Sequence, residues 1–212
     1  INGAQKRKEE QAVFQRKRSV DYDKVLKRQR VMIYGVRNRL LDGGSLELKT
    51  VGRLAHESVR MFLKENRRPD IGDVTRYVLN NICYDLDSRI LSIREGMSKK
   101  TLKRVLTSYV SAVWENRRKS FSSEDELKEF IRLCSLRAID NAWVEQVDYL
   151  QQLQFLVSGW SSAQRNPVFE YHAEAYKSFQ GMERTIKKEI VRNIFLGTKR
   201  YSKTGEMYIL FP

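Results

Sequence analysis

The chain has 212 residues, 41% of them hydrophobic, with 40 Lys and Arg against 26 Asp and Glu and a formal charge of +14. No run of about 18 apolar residues occurs, which excludes a membrane-spanning helix, and Cys83, Cys134, His56 and His172 are too scattered for a four-ligand zinc site. With 3 Pro and 11 Gly there is little punctuation, so long helices are expected rather than many short strands. The start, Ile1-Asn2-Gly3-Ala4, has neither an initiator Met nor an apolar signal region, and the chain reads as a piece of a larger cytosolic protein cut at its N-terminal side. The charge is uneven: residues 1–39 hold twelve Lys/Arg and four acids. Such a field invites nucleic acid, anionic lipid or an acidic protein, without choosing among them.

The first predicted element is one long helix over residues 4–41. Val25/Leu26, Gln29, Ile33, Val36 and Leu40 form its apolar edge, and Asp42-Gly43-Gly44 stops it. A polar-coated helix of this length cannot bury itself, so it is expected to be a strut on which other elements pack. Next comes a helical module over 43–120. One helix carries Val51, Leu54/Ala55, Ser58/Val59 and Phe62 and stops at Asn66-Arg67-Arg68-Pro69. A second, capped by Asp73, carries Val74, Tyr77/Val78 and Ile82. A third, capped by Ser98, carries Leu102, Val105/Leu106, Tyr109/Val110 and Val113, with Trp114 near its end.

Ser123-Glu124-Asp125-Glu126 fits a capping box opening a helix over 123–157. Its apolar positions are Leu127, Phe130/Ile131, Cys134, Ala138, Trp143, Val147, Leu150, Leu153 and Val157. Asn166-Pro167 opens the next helix, with Tyr176, Phe179, Met182, Ile186, Ile190 and Ile194, ending at Gly197. Between them lies the break Ser158-Gly159-Trp160-Ser161-Ser162. Two helices joined by a short polar turn make an antiparallel hairpin, and the Gly, aromatic and Ser residues at its tip suit contact with a partner. Cys83 and Cys134 fall in apolar patterns and read as buried free thiols. In the tail, Met207 to Phe211 reads as a strand or an apolar plug. No phosphate-binding loop, nucleophile elbow, paired-His metal motif or Cys–His constellation is present, so no catalytic residue and no metal site is expected in this chain.

Motif order adds a resemblance. Asn2-Gly3-Ala4-Gln5-Lys6-Arg7-Lys8-Glu9, Arg16-Lys17, Asp21-Tyr22-Asp23-Lys24-Val25, Gln29-Arg30-Val31-Met32-Ile33-Tyr34 and Arg37-Asn38-Arg39-Leu40-Leu41 resemble the start of the long scaffold helix of the SecA family, the motors of bacterial protein export. Arg137-Ala138-Ile139-Asp140-Asn141-Ala142-Trp143, Ala163-Gln164-Arg165-Asn166-Pro167 and Glu170-Tyr171-His172-Ala173-Glu174 resemble its finger region, in the same order. The end of the chain lacks the family's usual Cys- and His-rich zinc-binding tail. With the loosened motifs, that looks like the accessory SecA of Gram-positive bacteria.

The resemblance implies an all-α fold: a scaffold helix over 1–42, a helical wing over 43–120, a two-helix finger over 121–197 and a tail over 198–212. It implies the C-terminal part of a motor that pushes unfolded preprotein into a SecY-type channel, in an accessory system exporting surface glycoproteins. ATP and Mg would sit in motor domains upstream, and this chain itself would hold no cofactor and no catalytic site. The tip residues Gly159, Trp160, Ser161 and Ser162 would touch substrate or channel. Arg137, Asp140 and Trp143 would couple finger to scaffold, and Gln164, Asn166 and Pro167 would start the second finger helix. The family's tip Tyr corresponds either to Trp160 or to Ser162, and Trp160 either contacts a partner or packs under the turn. Gln146 stands where the family usually has His. The implied partners are the channel, the preprotein, accessory secretion proteins and an anionic membrane surface, with a homodimer left open. The implied location is the cytoplasm, at the inner face of the cell membrane. The competing reading is a stand-alone basic module binding nucleic acid, or an adaptor. The first helix has the charge for nucleic acid, but it lacks interleaved aromatics for stacking.

Overall fold

A computed structural model describes residues 2–94, 96–158 and 166–212. In chain order the elements are α1 (Asn2–Leu41), α2 (Leu48–Glu65), α3 (Ile71–Asn81), α4 (Ser88–Leu91), α5 (Lys99–Lys119), α6 (Glu124–Ser158), α7 (Pro167–Leu196), β1 (Thr198–Tyr201) and β2 (Met207–Leu210). The fold is all-α with one small antiparallel strand pair, in which Thr198 faces Leu210 and Tyr201 faces Met207. Among the described residues no helix is long and apolar enough to cross a membrane. Two compact units share the long helices, Ile1–Asn38 with Ile139–Arg184, and Arg39–Ala138 with Thr185–Pro212.

In the first unit, α1 buries Tyr22, Val25, Gln29 and Ile33, steps of three and four that define one face. This face meets Leu150, Leu153 and Val157 of α6 and Tyr171 and Ala175 of α7 in one apolar cluster, with the Tyr22 and Tyr171 rings 4.4 Å apart. Two expected core positions are corrected: Val36 and Tyr176 are exposed. The stripe on α1 continues through Arg37 instead, and the α7 stripe begins at Tyr171 and Ala175, one helical turn earlier than the spacing from Phe179 suggested.

In the second unit, α2 and α5 pack together through Val51, Ala55, Val59 and Phe62 on one side and Leu102, Leu106, Tyr109 and Val110 on the other. Asp70, not Asp73, caps α3. Its carboxylate accepts from the Asp73 N–H at 2.7 Å, while Asp73 reaches back to the Asp70 N–H, a reciprocal box in which Asp73 is the third helical residue. Ser98 caps α5 as expected, and Ser123 accepts from the Glu126 N–H at 3.1 Å to open α6. Cys134 is buried, whereas Cys83 is only partly so. Trp114 is buried and stacks on Phe195 with ring centroids 5.9 Å apart. The turn after α1 needs its glycines: Gly43 has φ +89°, and a Cβ at Gly44 would collide with the Arg39 carbonyl oxygen. At the other end of this unit, Arg117 donates to the carbonyls of Ile194 and Gly197, supplying the closing turn of α7 with a cation.

The tail is a strand pair rather than a plug. Glu126 holds it: Lys199 Nζ donates to Glu126 at 2.6 Å, and the Tyr201 hydroxyl donates to the same oxygen. Those two bonds, Lys199 first, hold the Glu126 carboxyl down at about 2.

Candidate interaction site

Three positions on α1 share a face at intervals of four: Gln29, Ile33 and Arg37. On α6, Asp140, Trp143 and Gln146 recur at intervals of three and turn toward them. The Arg37 guanidinium donates twice to Asp140, Nε at 2.6 Å and Nη2 at 3.3 Å, a forked pair that fixes direction as well as distance. One turn further on, the Trp143 indole is buried and meets the Tyr34 ring edge-on, with centroids 6.2 Å apart. The Arg37 guanidinium also lies over the Tyr34 ring at 5.9 Å.

A further turn on, the contact becomes polar and buried. Gln146, 5% exposed, donates both amide hydrogens, one to Gln29 Oε1 at 2.9 Å and one to Ser178 Oγ at 2.8 Å. Gln29 donates to the Ala175 carbonyl at 3.0 Å, and Ser178 donates to that same carbonyl at 3.0 Å. The circuit ties α1, α6 and α7 into one register, because a shift of either hairpin helix by one residue would strand several buried polar atoms. Tyr22, Tyr171 and the aliphatic cluster continue the contact toward the hairpin end. Burial raises the Tyr171 hydroxyl to about 12.

Beyond this seat, α6 closes with Phe155, 83% exposed, and α7 opens with Phe169, 70% exposed. Asn166 accepts from the Val168 N–H at 3.0 Å, so Asn166 caps α7 and Pro167 takes its first position, as the dipeptide predicts. Gly159, Trp160, Ser161, Ser162 and Gln164 lie outside the described residues. Asp140 and Trp143 of α6 come together against α1. Arg137 does not join them: its guanidinium lies over the Phe211 ring at 5.6 Å, in the other unit. Sequence reasoning missed Arg37 and Tyr34 as partners, Ser178, and the exposed Phe155 and Phe169. The flanking aromatics did leave a signal. Residues 149–169 contain one charged residue, Arg165, in a chain where 31% are charged. Among the described residues no group of three or more His, Cys, Asp or Glu could hold a metal ion.

Residues 1–197 match the family model of the SecA wing and scaffold domain. The chain belongs to the SecA wing and scaffold family. Protein translocase subunit SecA 2 of Streptococcus agalactiae is 32% identical over 202 residues, covering 92% of this chain and 24% of that protein. Protein translocase subunit SecA 2 of Staphylococcus aureus is 32% identical over 209 residues, covering 99% of this chain and 26% of that protein. The chain therefore spans about a quarter of the length of the curated SecA relatives it matches. Membership agrees with the motif order on α1, α6 and α7 and with the all-α architecture.

Proposed function

We propose that the chain is the scaffold, wing and two-helix-finger part of an ATP-driven protein export motor, and that the seat of the hairpin on α1 carries movement to its tip. In this reading residues 1–42 and 121–197 are scaffold and finger, 43–120 the wing and 198–212 a tail. ATP and Mg belong to motor domains outside this chain. The tip, Gly159 to Ser162, meets unfolded preprotein or a SecY-type channel, and the whole works at the inner face of the cell membrane. The similarity to proteins named SecA 2 supports an accessory export system; surface glycoproteins are the substrates this reading assigns to it.

One observation carries the reading. The hairpin is tied to α1 by directional bonds, Arg37 to Asp140 and Gln29 to Gln146 and Ser178, and not by grease alone. An apolar contact can slide between neighbouring registers at small cost. A contact whose polar atoms are buried and paired has one register, so displacement of α1 displaces the hairpin with it. The flanks, with a single charged residue and with Phe155 and Phe169 exposed, suit a tip that must touch many sequences without preferring a charge.

The test uses the full-length protein. Trp160→Ala with glycines at 161 and 162 is expected to abolish export while ATP hydrolysis persists. Export at the parental rate would refute the reading. Tight, salt-sensitive binding of RNA or DNA with no channel interaction would favour a nucleic-acid module instead.

A further inference from the structure

Residues 43–120 hold sixteen Lys and Arg against nine Asp and Glu, and the whole excess falls in two short segments. Segment 60–68 has Arg60, Lys64, Arg67 and Arg68 against Glu65. Segment 94–104 has Arg94, Lys99, Lys100, Lys103 and Arg104 against Glu95. The fold brings the two together. A Cβ at Gly52 would touch the Trp114 ring at 3.8 Å, and His56 is hydrogen-bonded to Ser111 at 2.8 Å, so α2 and α5 run antiparallel. The end of α2 therefore meets the start of α5. Arg67, Arg68, Arg94 and Lys99 line one cleft of 570 Å³. Lys100, Lys103 and Arg104 line another of 430 Å³, beside the hydroxyl-bearing Thr107, Ser108 and Ser111.

Lys64 sits in the last turn of α2, where the helix dipole favours a cation, but the stability of the fold does not explain the rest of the group. Among the described residues none of the nine forms an ion pair, whereas Arg76, Arg89 and Arg118 of the same unit pair with Asp73, Asp87 and Glu115. Lys99 and Lys100 occupy the first turn of α5, which contains no acid. That is the end where the helix dipole disfavours positive charge. Lys99 and Lys100 set against their own helix, in a group of cations without acidic partners, are what binding to an external anion would require.

The surroundings indicate which anion. Ile71 is exposed and lines the same cleft as Arg67 and Arg68, and Leu91, 63% exposed, lends its carbonyl to the Arg94 guanidinium at 2.9 Å. Aliphatic side chains set among Arg and Lys are the composition of a membrane-facing surface. Among the described residues no aromatic lines either cleft, so they offer no platform on which bases would stack. We propose that this end of α2 and α5 docks on an anionic lipid bilayer, its cations taking headgroup phosphates while Ile71 and Leu91 enter the interfacial layer. The inference rests on the reading of the chain as part of a membrane-peripheral motor, and it names the surface that makes the contact, distinct from the basic helix α1.

The test is co-sedimentation of the 212-residue chain with vesicles of phosphatidylcholine, alone or mixed with phosphatidylglycerol, over a range of salt. The chain is expected to bind the mixed vesicles only, and more weakly as salt rises. Lys100→Gln/Lys103→Gln/Arg104→Gln is expected to lose affinity roughly hundredfold, about fivefold per charge removed. Its melting temperature should not fall, and Lys99→Gln/Lys100→Gln should melt slightly higher than the parent, because both of its changes relieve the dipole conflict. Leu91→Ser leaves the charge alone and is expected to weaken binding several-fold. Lys6→Gln/Arg7→Gln/Lys8→Gln removes equal charge from α1 and is expected to weaken binding far less than the α5 variant. No vesicle binding by the parental chain would overturn the membrane-peripheral reading and this inference together. Binding lost in the α1 variant but kept in the α5 variant would overturn the inference alone, as would tighter binding to a homopolymeric RNA than to the mixed vesicles at equal salt.

Discussion

Replacing Gln146 by Leu tests whether the hairpin is held in register by its buried polar circuit. The substitution removes two donors at once. Gln29 Oε1 then has no donor inside a site where Gln29 is 6% exposed, and leaving a buried acceptor unpaired costs about 1–3 kcal/mol. Ser178 loses the bond it accepts but still donates to the Ala175 carbonyl, so its loss is smaller. Burying a Leu side chain in place of an amide offsets part of this, and the net cost comes to about 1–3 kcal/mol. For a chain of this length 1 kcal/mol lowers the melting temperature by about 2–4 °C, so a fall of roughly 2–12 °C is expected by circular dichroism. The sharper measurement is the double variant Gln29→Leu/Gln146→Leu, which removes acceptor and donor together. It should be less destabilised than the sum of the single variants, with a coupling of about 0.5–3 kcal/mol. Gln146→His, the residue the motif resemblance implies at this position, keeps one ring donor and should fall between parent and Leu. Additive single effects, or a Leu variant as stable as the parent, would show that the circuit does not hold the register.

Three further outcomes are expected. Asp140→Asn breaks a half-exposed pair and should cost no more than about 1 kcal/mol. Export by the full-length protein should nevertheless fall well beyond that, and a parallel small loss in both melting and export assays would leave the pair no coupling role. Lys199 and then Tyr201 hold the Glu126 carboxyl down at about 2, well below its ordinary 4.5. Its contribution is therefore full above the ordinary carboxylate range and is lost as pH falls from 4.5 toward 2. Amide hydrogen exchange in 198–210, corrected for intrinsic rates, should rise across that window and lose this dependence in Glu126→Gln. Gly197→Ala sets a Cβ against the Asn193 carbonyl oxygen, a backbone atom that cannot turn aside, and should destabilise by about 1–3 kcal/mol in a urea melt. An unchanged midpoint would mean that the end of α7 relaxes freely.

Helix existence was legible because burial writes itself into spacing. Steps of three and four through Val25, Gln29 and Ile33, and through Phe179, Met182 and Ile186, marked the faces that the fold buries. Spacing could not separate a buried apolar residue from an exposed one at the margin of a stripe. Val36 and Tyr176 fit the period and face solvent, while Arg37 fits it as well and carries the ion pair. Capping was legible where one residue type does the work, as with Ser98, Ser123 and Asn166. It was misplaced at α3, where Asp70 and Asp73 are both acceptors and only the backbone decides which is the cap.

The seat itself was half legible, for a reason that bears on function. Asp140 and Trp143 stood out because their motif resembles that of a known family, but nothing local to α6 says that their partners are Arg37 and Tyr34, about a hundred residues earlier. A one-dimensional pattern records which face of a helix is buried, not what faces it. The polar circuit is the extreme case. Gln29 entered the sequence reading as one more position on an apolar edge, and Gln146 as a departure from a family His. Each is a buried amide whose presence is costly unless the other is there. That mutual dependence is what an apolar seam cannot supply. If the hairpin transmits movement of α1, Gln29→Leu should impair export through Gln146 and Ser178 even where the melting temperature is restored by a stabilising change elsewhere. Export that recovers in step with stability would assign the circuit to folding alone.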